Sequence, residues 1–250
     1  IAAGVYAHMP LLLRTLNKIS QIIREEMRAV GYEALLLPAL QPKKLWLDSG
    51  RWDDDDEIGG SIFVVRDRRG GSFCLAPAHE EVITEIIRKE VSSYKHLPKK
   101  LYQIQTKFHD EPRPRLGLIR AREYMMKEAF SFNADEASLD SSYQAIRDAY
   151  HIICRRIGLE YRCVEAHAGT RANNRRHQFV AFADIEEDSI VYCDSCEYAA
   201  HQQVAEARLE VFPQDSEENA REAIYGPGLI GVEPLAEFLN IPVWKTTKTL

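Results

Sequence analysis

The sequence lacks most of what would mark a secreted, membrane-spanning or disordered protein. Its longest apolar stretches, such as residues 34–40, fall far below the roughly 18 to 20 residues that span a bilayer. The first residues lack the basic, apolar and small-residue order of a signal peptide, so a cytoplasmic protein without a membrane partner is the expectation. The five cysteines are odd in number and sit in a large chain without secretory features, which argues against a disulfide framework. Cys193-Asp194-Ser195-Cys196 is a lone pair that supplies half the ligands of a closed tetrahedral zinc site, with no His pair at finger spacing, so no metal site is expected. There is no internal repeat and no glycine-rich phosphate loop of either common type; any nucleotide must be held by side chains and a sheet surface.

What the sequence does have is an ordinary globular composition. In 250 residues, 45% are hydrophobic and 28% charged, enough chain for one large or two smaller domains. The net charge of -6 argues against nucleic-acid binding driven by the whole-molecule field. Local basic groups remain: Arg113, Arg115, Arg120 and Arg122 crowd into ten residues, and Arg171, Arg175 and Arg176 follow later. Each group either meets phosphates or forms a solvated charged face.

Apolar residues recur at helical spacing over residues 10–30, with Pro10 suited to the first turn and Gly31 to the exit. Residues 33–40 read as a buried strand interrupted by Pro38, 52–57 as an acidic loop, and 62–67 with 72–75 as a hairpin. A helix over 79–93 follows. Residues 101–108 alternate, placing Tyr102, Ile104, Thr106 and Phe108 on one face and Gln103, Gln105 and Lys107 on the other, which predicts a half-buried strand. After a loop holding Pro112 and Pro114, residues 122–132 read as its antiparallel partner. A helix over 138–157 ends at Gly158, and 159–166, 178–183 and 189–193 are further strand candidates. The pattern predicts an α+β fold, a mainly antiparallel sheet flanked by helices.

The run from Lys107-Phe108-His109-Asp110-Glu111-Pro112-Arg113-Pro114-Arg115 to Arg120-Ala121-Arg122-Glu123-Tyr124-Met125-Met126-Lys127-Glu128-Ala129-Phe130-Ser131-Phe132 resembles the second motif of class II aminoacyl-tRNA synthetases, and over its whole length the bacterial-type prolyl-tRNA synthetases. The likeness extends through Leu40-Gln41-Pro42 and Ser49-Gly50-Arg51-Trp52 to Tyr198-Ala199-Ala200, and residues 10–38 look like the first motif. That first motif implies a homodimer; on its periodicity alone the helix is equally an amphipathic helix packed inside one subunit.

The resemblance implies an ATP-dependent ligase that makes prolyl-adenylate and then prolyl-tRNA, with ATP, Mg2+, the amino acid and a proline-accepting tRNA as its cofactors and partners. Activation is an in-line attack of a carboxylate on the α-phosphate, so two anions must be brought together, and arginine forks suit that task. By resemblance Glu111 accepts from the adenine amino group, Tyr124 stacks on the ring, and Arg120 reaches the distal phosphates with magnesium, Arg113 joining the ATP-binding set. Read without the resemblance, Tyr124 is equally a core aromatic, and Glu111 with Arg113 a surface ion pair.

The family's Thr-His-Glu-Glu segment is matched by Ala78-His79-Glu80-Glu81, with Glu80 placed to pair with the substrate ammonium. Met126, Glu128, Phe130 and His177 complete the amino-acid pocket that the resemblance implies. Three departures stand out. Ala78 lacks the hydroxyl the family uses, His109 replaces the motif arginine that touches substrate carboxylate and α-phosphate, and residues 171–178 read Arg-Ala-Asn-Asn-Arg-Arg-His-Gln in place of a Gly-Ser-rich turn. They predict an impaired ligase or, alternatively, a catalytically degenerate relative that serves as a tRNA-binding or regulatory module.

Residues 1–212 are expected to form the catalytic core and 213–230 a polar linker. Residues 231–250, with Pro234-Leu235-Ala236-Glu237-Phe238-Leu239, resemble the opening of the family's inserted editing domain. Since the third motif and anticodon-binding domain are not in the chain, the expectation is a fragment.

Overall fold

The computed structural model describes residues 1–52, 62–166, 177–183, 189–205, 223–226, 228–229 and 231–246, in two compact units. The acidic run 53–57, the arginines at 171, 175 and 176, and positions 212 and 230, where the sequence suggests boundaries, lie outside the described residues.

In the first unit, residues 1–164 and 176–187, the periodic apolar positions form α1 (Pro10–Ala29) with Pro10 in its first turn. A proline there loses nothing, because the first N–H groups of a helix have no partner in the helix. The chain leaves α1 through Gly31, at a φ of 79, and its N–H bonds the carbonyl of Arg28 at 3.0 Å.

The single strand expected over 33–40 is two short ones. β1 (Glu33–Ala34) pairs in parallel with β5 (Lys99–Phe108), while β2 (Leu40–Pro42) joins a different sheet. The separation has a local cause. Pro38 has no N–H for a ladder, and side chains take over just before it: the Leu37 N–H donates to Gln103 Oε1 at 3.0 Å, and the Leu37 carbonyl accepts from Gln105 Nε2 at 3.0 Å. After β2 comes α2 (Lys43–Asp48), whose buried Trp46 donates from Nε1 to Gln41 Oε1 at 2.8 Å. The expected hairpin is β3 (Phe63–Arg66) and β4 (Ser72–Leu75), in the order β2-β4-β3, all antiparallel.

α3 (Glu80–Glu90) leads to β5, which pairs antiparallel with β6 (Glu123–Phe132) over ten residues, from Lys99↔Phe132 to Phe108↔Glu123. β5 lies in the middle of its sheet, and β6 is at the margin of the order β1-β5-β6. One face of this pair is covered by α1 and α4 (Glu136–Ile157), through a cluster of Met27, Tyr32 and Tyr102 with Ile104, Ala129, Ile146 and Tyr150. α4 starts on an Asp135 cap, which accepts from the Ser138 N–H at 2.8 Å, and ends on Gly158 at a φ of 82. The opposite face is not the solvated one that alternation predicted. Leu101, Phe130 and Phe132 pack there against Leu37, Val82 and Ile83, and Gln103 and Lys107 are buried. β7 (Tyr161–Glu165) and β8 (His177–Ala181) follow, with Phe179 edge-on to Tyr150 and His151.

In the second unit, residues 165–175 and 188–250, β9 (Ile190–Tyr192) and β10 (Ala199–His201) pair antiparallel, and α5 (Val232–Leu239) ends on Asn240 in the left-handed conformation.

Candidate active site

The β5–β6 register puts Gln103 opposite Glu128, Gln105 opposite Met126 and Lys107 opposite Tyr124, so all six side chains leave the same face of the sheet. Glu128 is the hub. Its carboxylate accepts from Lys107 Nζ at 2.6 Å and Gln103 Nε2 at 2.8 Å, and lies 2.7 Å from His79 Nδ1. Lys107 and Glu128 are each 8% exposed at the side chain, and His79 is fully buried. Burial pushes the Glu128 carboxyl up, but the hydrogen bonds from His79, Lys107 and Gln103 outweigh it and hold the group down to about 2. A buried carboxylate is thus kept charged on the floor of the site. His79, at the N-terminus of α3, also carries the chain from Ala78 to Glu80 across this face, and its Nε2 is buried with no protein partner.

The turn beyond β5 holds a second constellation. Glu111 accepts from Arg120 Nη2 on both oxygens, at 3.0 and 3.1 Å, and from the Arg113 backbone N–H at 2.9 Å. That backbone hydrogen bond first, and then the Arg120 guanidinium, lower the Glu111 pKa against its desolvation. Arg122 Nε donates to the Glu111 carbonyl at 3.1 Å, fixing the base of the loop. His109 Nδ1 lies 4.0 Å from Glu111 Oε2. Arg113 and Arg115 are exposed, and the loop turns through Leu116 and Gly117, both at positive φ. Leu116 tolerates that conformation only at some cost in strain.

The other expected residues are placed as follows. Tyr124 is half-buried, and burial raises its pKa, with the Glu128 charge acting in the same sense. Met126 is exposed, and Phe130 packs with the Leu37 cluster. Ala78 is buried beside Trp46 and Cys74, and its carbonyl accepts from Gln41 Nε2 at 3.2 Å. Glu80 is 58% exposed at the side chain and pairs with Arg51 at 3.4 Å, while the buried Glu81 takes the same guanidinium at 3.0 Å and the Ser49 hydroxyl at 3.0 Å. His177 Nδ1 meets the Tyr143 hydroxyl at 2.8 Å. Sequence reasoning missed His79, Gln103 and Lys107 as members of the site. The available signal was the alternation itself, which grouped Gln103, Gln105 and Lys107 on one face.

A paired hairpin with an arginine-bearing loop, backed by two helices and facing a charged floor, is the frame of one synthetase class. Residues 63–221 match the tRNA synthetase class II core domain (G, H, P, S and T), and the chain belongs to that family. Over its full 250 residues it is 48% identical to the proline--tRNA ligase of Thermosipho africanus, and it is 45% identical to that of Geobacter metallireducens over 251 aligned positions. The alignments take in 100% of this chain but 44% and 43% of those relatives, so the chain spans less than half their length. The fold resembles Giardia lamblia prolyl-tRNA synthetase, solved with prolyl-adenylate (TM-score 0.59, 23% identity, 66% of this chain and 34% of that one). It also resembles a Cryptosporidium parvum threonyl-tRNA synthetase structure (TM-score 0.58, 21% identity, 66% of this chain and 40% of that one).

Proposed function

We propose that the chain serves in the ATP-dependent attachment of proline to tRNA, activating proline as its adenylate before transfer. The observation that carries this reading is the identity of 48% to a proline--tRNA ligase along the entire chain. The arrangement of donors supports it. Exposed Arg113 and Arg115 offer guanidinium groups to a triphosphate, and Arg120 is held beside them by Glu111. Glu111 presents a carboxylate of lowered pKa that can accept from an adenine amino group, and Tyr124, opposite Lys107 on the site face of the sheet, offers a ring. Ordered before the reaction, such donors stabilise developing charge without reorganisation. Glu128, locked by three donors, keeps the floor beneath Met126 and Tyr124 rigid.

For the metal, no three His, Cys, Asp or Glu side chains converge among the described residues. Magnesium would therefore enter with the phosphates, whose charge it neutralises. The amino acid would lie against Ala78, Glu80, Met126, Phe130 and His177, with Glu80 leaving Arg51 to meet the substrate ammonium. The reading places the protein in the cytoplasm, with a proline-accepting tRNA as partner. It also implies a homodimer, and the run of exposed apolar side chains at Met9, Leu11 and Leu13 supports one, since Leu11 is 80% exposed.

A second reading, a tRNA-binding or regulatory module without catalysis, is favoured by one observation: position 109, 4.0 Å from Glu111, holds histidine in place of the motif arginine. ATP–pyrophosphate exchange by the full-length protein, run across all the amino acids, separates the two. Weak proline-dependent exchange is expected, and His109→Arg combined with Ala78→Thr should raise it at least tenfold, about 1.4 kcal/mol. A folded protein that binds tRNA yet exchanges with no amino acid in either form leaves the second reading.

A further inference from the structure

We propose that Cys193 and Cys196 form a dithiol site that low-molecular-weight disulfides oxidise to an intramolecular disulfide. The site lies within the second unit, on the turn that joins β9 to β10, and is independent of the ligase reading. The turn is closed by the Cys193 N–H, which donates to the Tyr198 carbonyl at 2.9 Å, directly beyond the Ala199↔Tyr192 pair. This folds Cys196 back on Cys193. The Ser195 backbone N–H donates to Cys193 Sγ at 3.3 Å, and Cys196 follows directly on the same turn. A backbone N–H aimed at this sulfur favours its thiolate, the nucleophilic form.

The remaining cysteines are built the other way. Burial pushes the Cys74 thiol up to about 12, and burial likewise raises Cys154 and Cys163. For Cys193 the Ser195 N–H, followed by Cys196, lowers the pKa against desolvation and the charge of Asp194. Among the described residues no third His, Cys, Asp or Glu joins the pair to make a metal set. Cys196 is exposed and Cys193 half-buried, so the pair is open to a small reagent.

The reaction balances as two exchanges. The Cys193 thiolate attacks one sulfur of the reagent disulfide, forming a mixed disulfide and releasing one thiolate. Cys196 then loses its proton and attacks the Cys193 sulfur, closing the protein disulfide and releasing the second thiolate. The protein gives up two electrons and two protons, and the reagent disulfide becomes two thiols.

The test treats the reduced full-length protein with oxidised glutathione near neutral pH, blocks remaining thiols and reads the products by mass spectrometry. The expected product lacks two hydrogen atoms within the peptide carrying both cysteines and retains no glutathione. With Cys196→Ser, glutathione should stay trapped on Cys193. In the untreated protein, Cys193 should alkylate at least about tenfold faster than Cys154 or Cys163, a comparison that stands even if the variant fails to fold. Three outcomes overturn the proposal: a persistent glutathione adduct in the unaltered protein, prior oxidation of Cys154 or Cys163, or stoichiometric zinc on the reduced protein that blocks oxidation.

Discussion

Lys127 and Glu128 are neighbours on β6, and because a strand alternates they lie on opposite faces of the sheet. Glu128 faces the candidate site, where Lys107, Gln103 and His79 surround its carboxylate and hold its pKa near 2. Lys127 faces the helices, where its Nζ meets the Tyr150 hydroxyl and lies over that ring, 4.2 Å from the centroid. Burial lowers the Lys127 pKa to about 7, although the Glu128 charge pulls the other way. Both residues are charged in water. The site face keeps its charge by supplying donors, and the helix face draws its charge towards neutrality. The difference marks which side of the sheet is built for polar chemistry and which is core.

Glu128→Ala should break this contrast most severely. It leaves the Lys107 ammonium buried without its carboxylate, a cost of about 3 to 5 kcal/mol in urea unfolding. A loss below about 1 kcal/mol would show that the floor is not held by this pair. In the unaltered protein the folded pKa of Glu128 lies below its unfolded value. Its contribution to stability is therefore complete above about pH 5 and declines as pH falls towards 2, which acid unfolding of the parent against Glu128→Gln would reveal.

Arg120→Ala sharpens the contrast between floor and loop. It should lower proline-dependent exchange by about a hundredfold or more while barely moving the melting temperature, since Arg120 is partly exposed. Equal losses in stability and activity would make Arg120 a structural residue.

Lys127→Met tests the helix face. The lowered pKa means that the native state sheds its proton before the unfolded chain does, so stability rises as pH goes from 7 towards 10.5. Methionine should therefore stabilise by on the order of 1 to 3 kcal/mol at pH 6, with the gain shrinking above pH 7. A gain that grows with pH would refute the assignment.

The smallest effect is expected outside both faces. Arg156 pairs with Glu25 at 2.6 Å and Glu26 at 2.5 Å across the α1–α4 surface. Exposed pairs are screened and entropically costly, so Arg156→Ala should leave the melting temperature nearly unchanged.

The paired strands were legible because each signal was local. Alternation over residues 101–108, prolines in the loop and a returning run ending at Phe132 place β5 and β6 correctly, and the same run carries the resemblance that the family match bears out. The helices at Pro10 and before Gly158 were legible from periodicity and their end residues, with the latter starting slightly earlier, at Glu136 behind Asp135. The strand read over 33–40 was not. Its apolar run gives no sign that Leu37 leaves the ladder for the side chains of Gln103 and Gln105, partners more than sixty positions away in the chain.

Sequence by itself determined which residues share a face, because a strand's period of two is a property of the backbone. Only the tertiary structure decided which face is covered. Gln103 and Lys107 read as a solvent face until His79 at the start of α3 and Glu128 on β6 close over them. Pairing Glu111 with Arg120 likewise required the loop to fold back on itself. Burial and charge pairing depend on distances between segments far apart in sequence, and no local period encodes those distances.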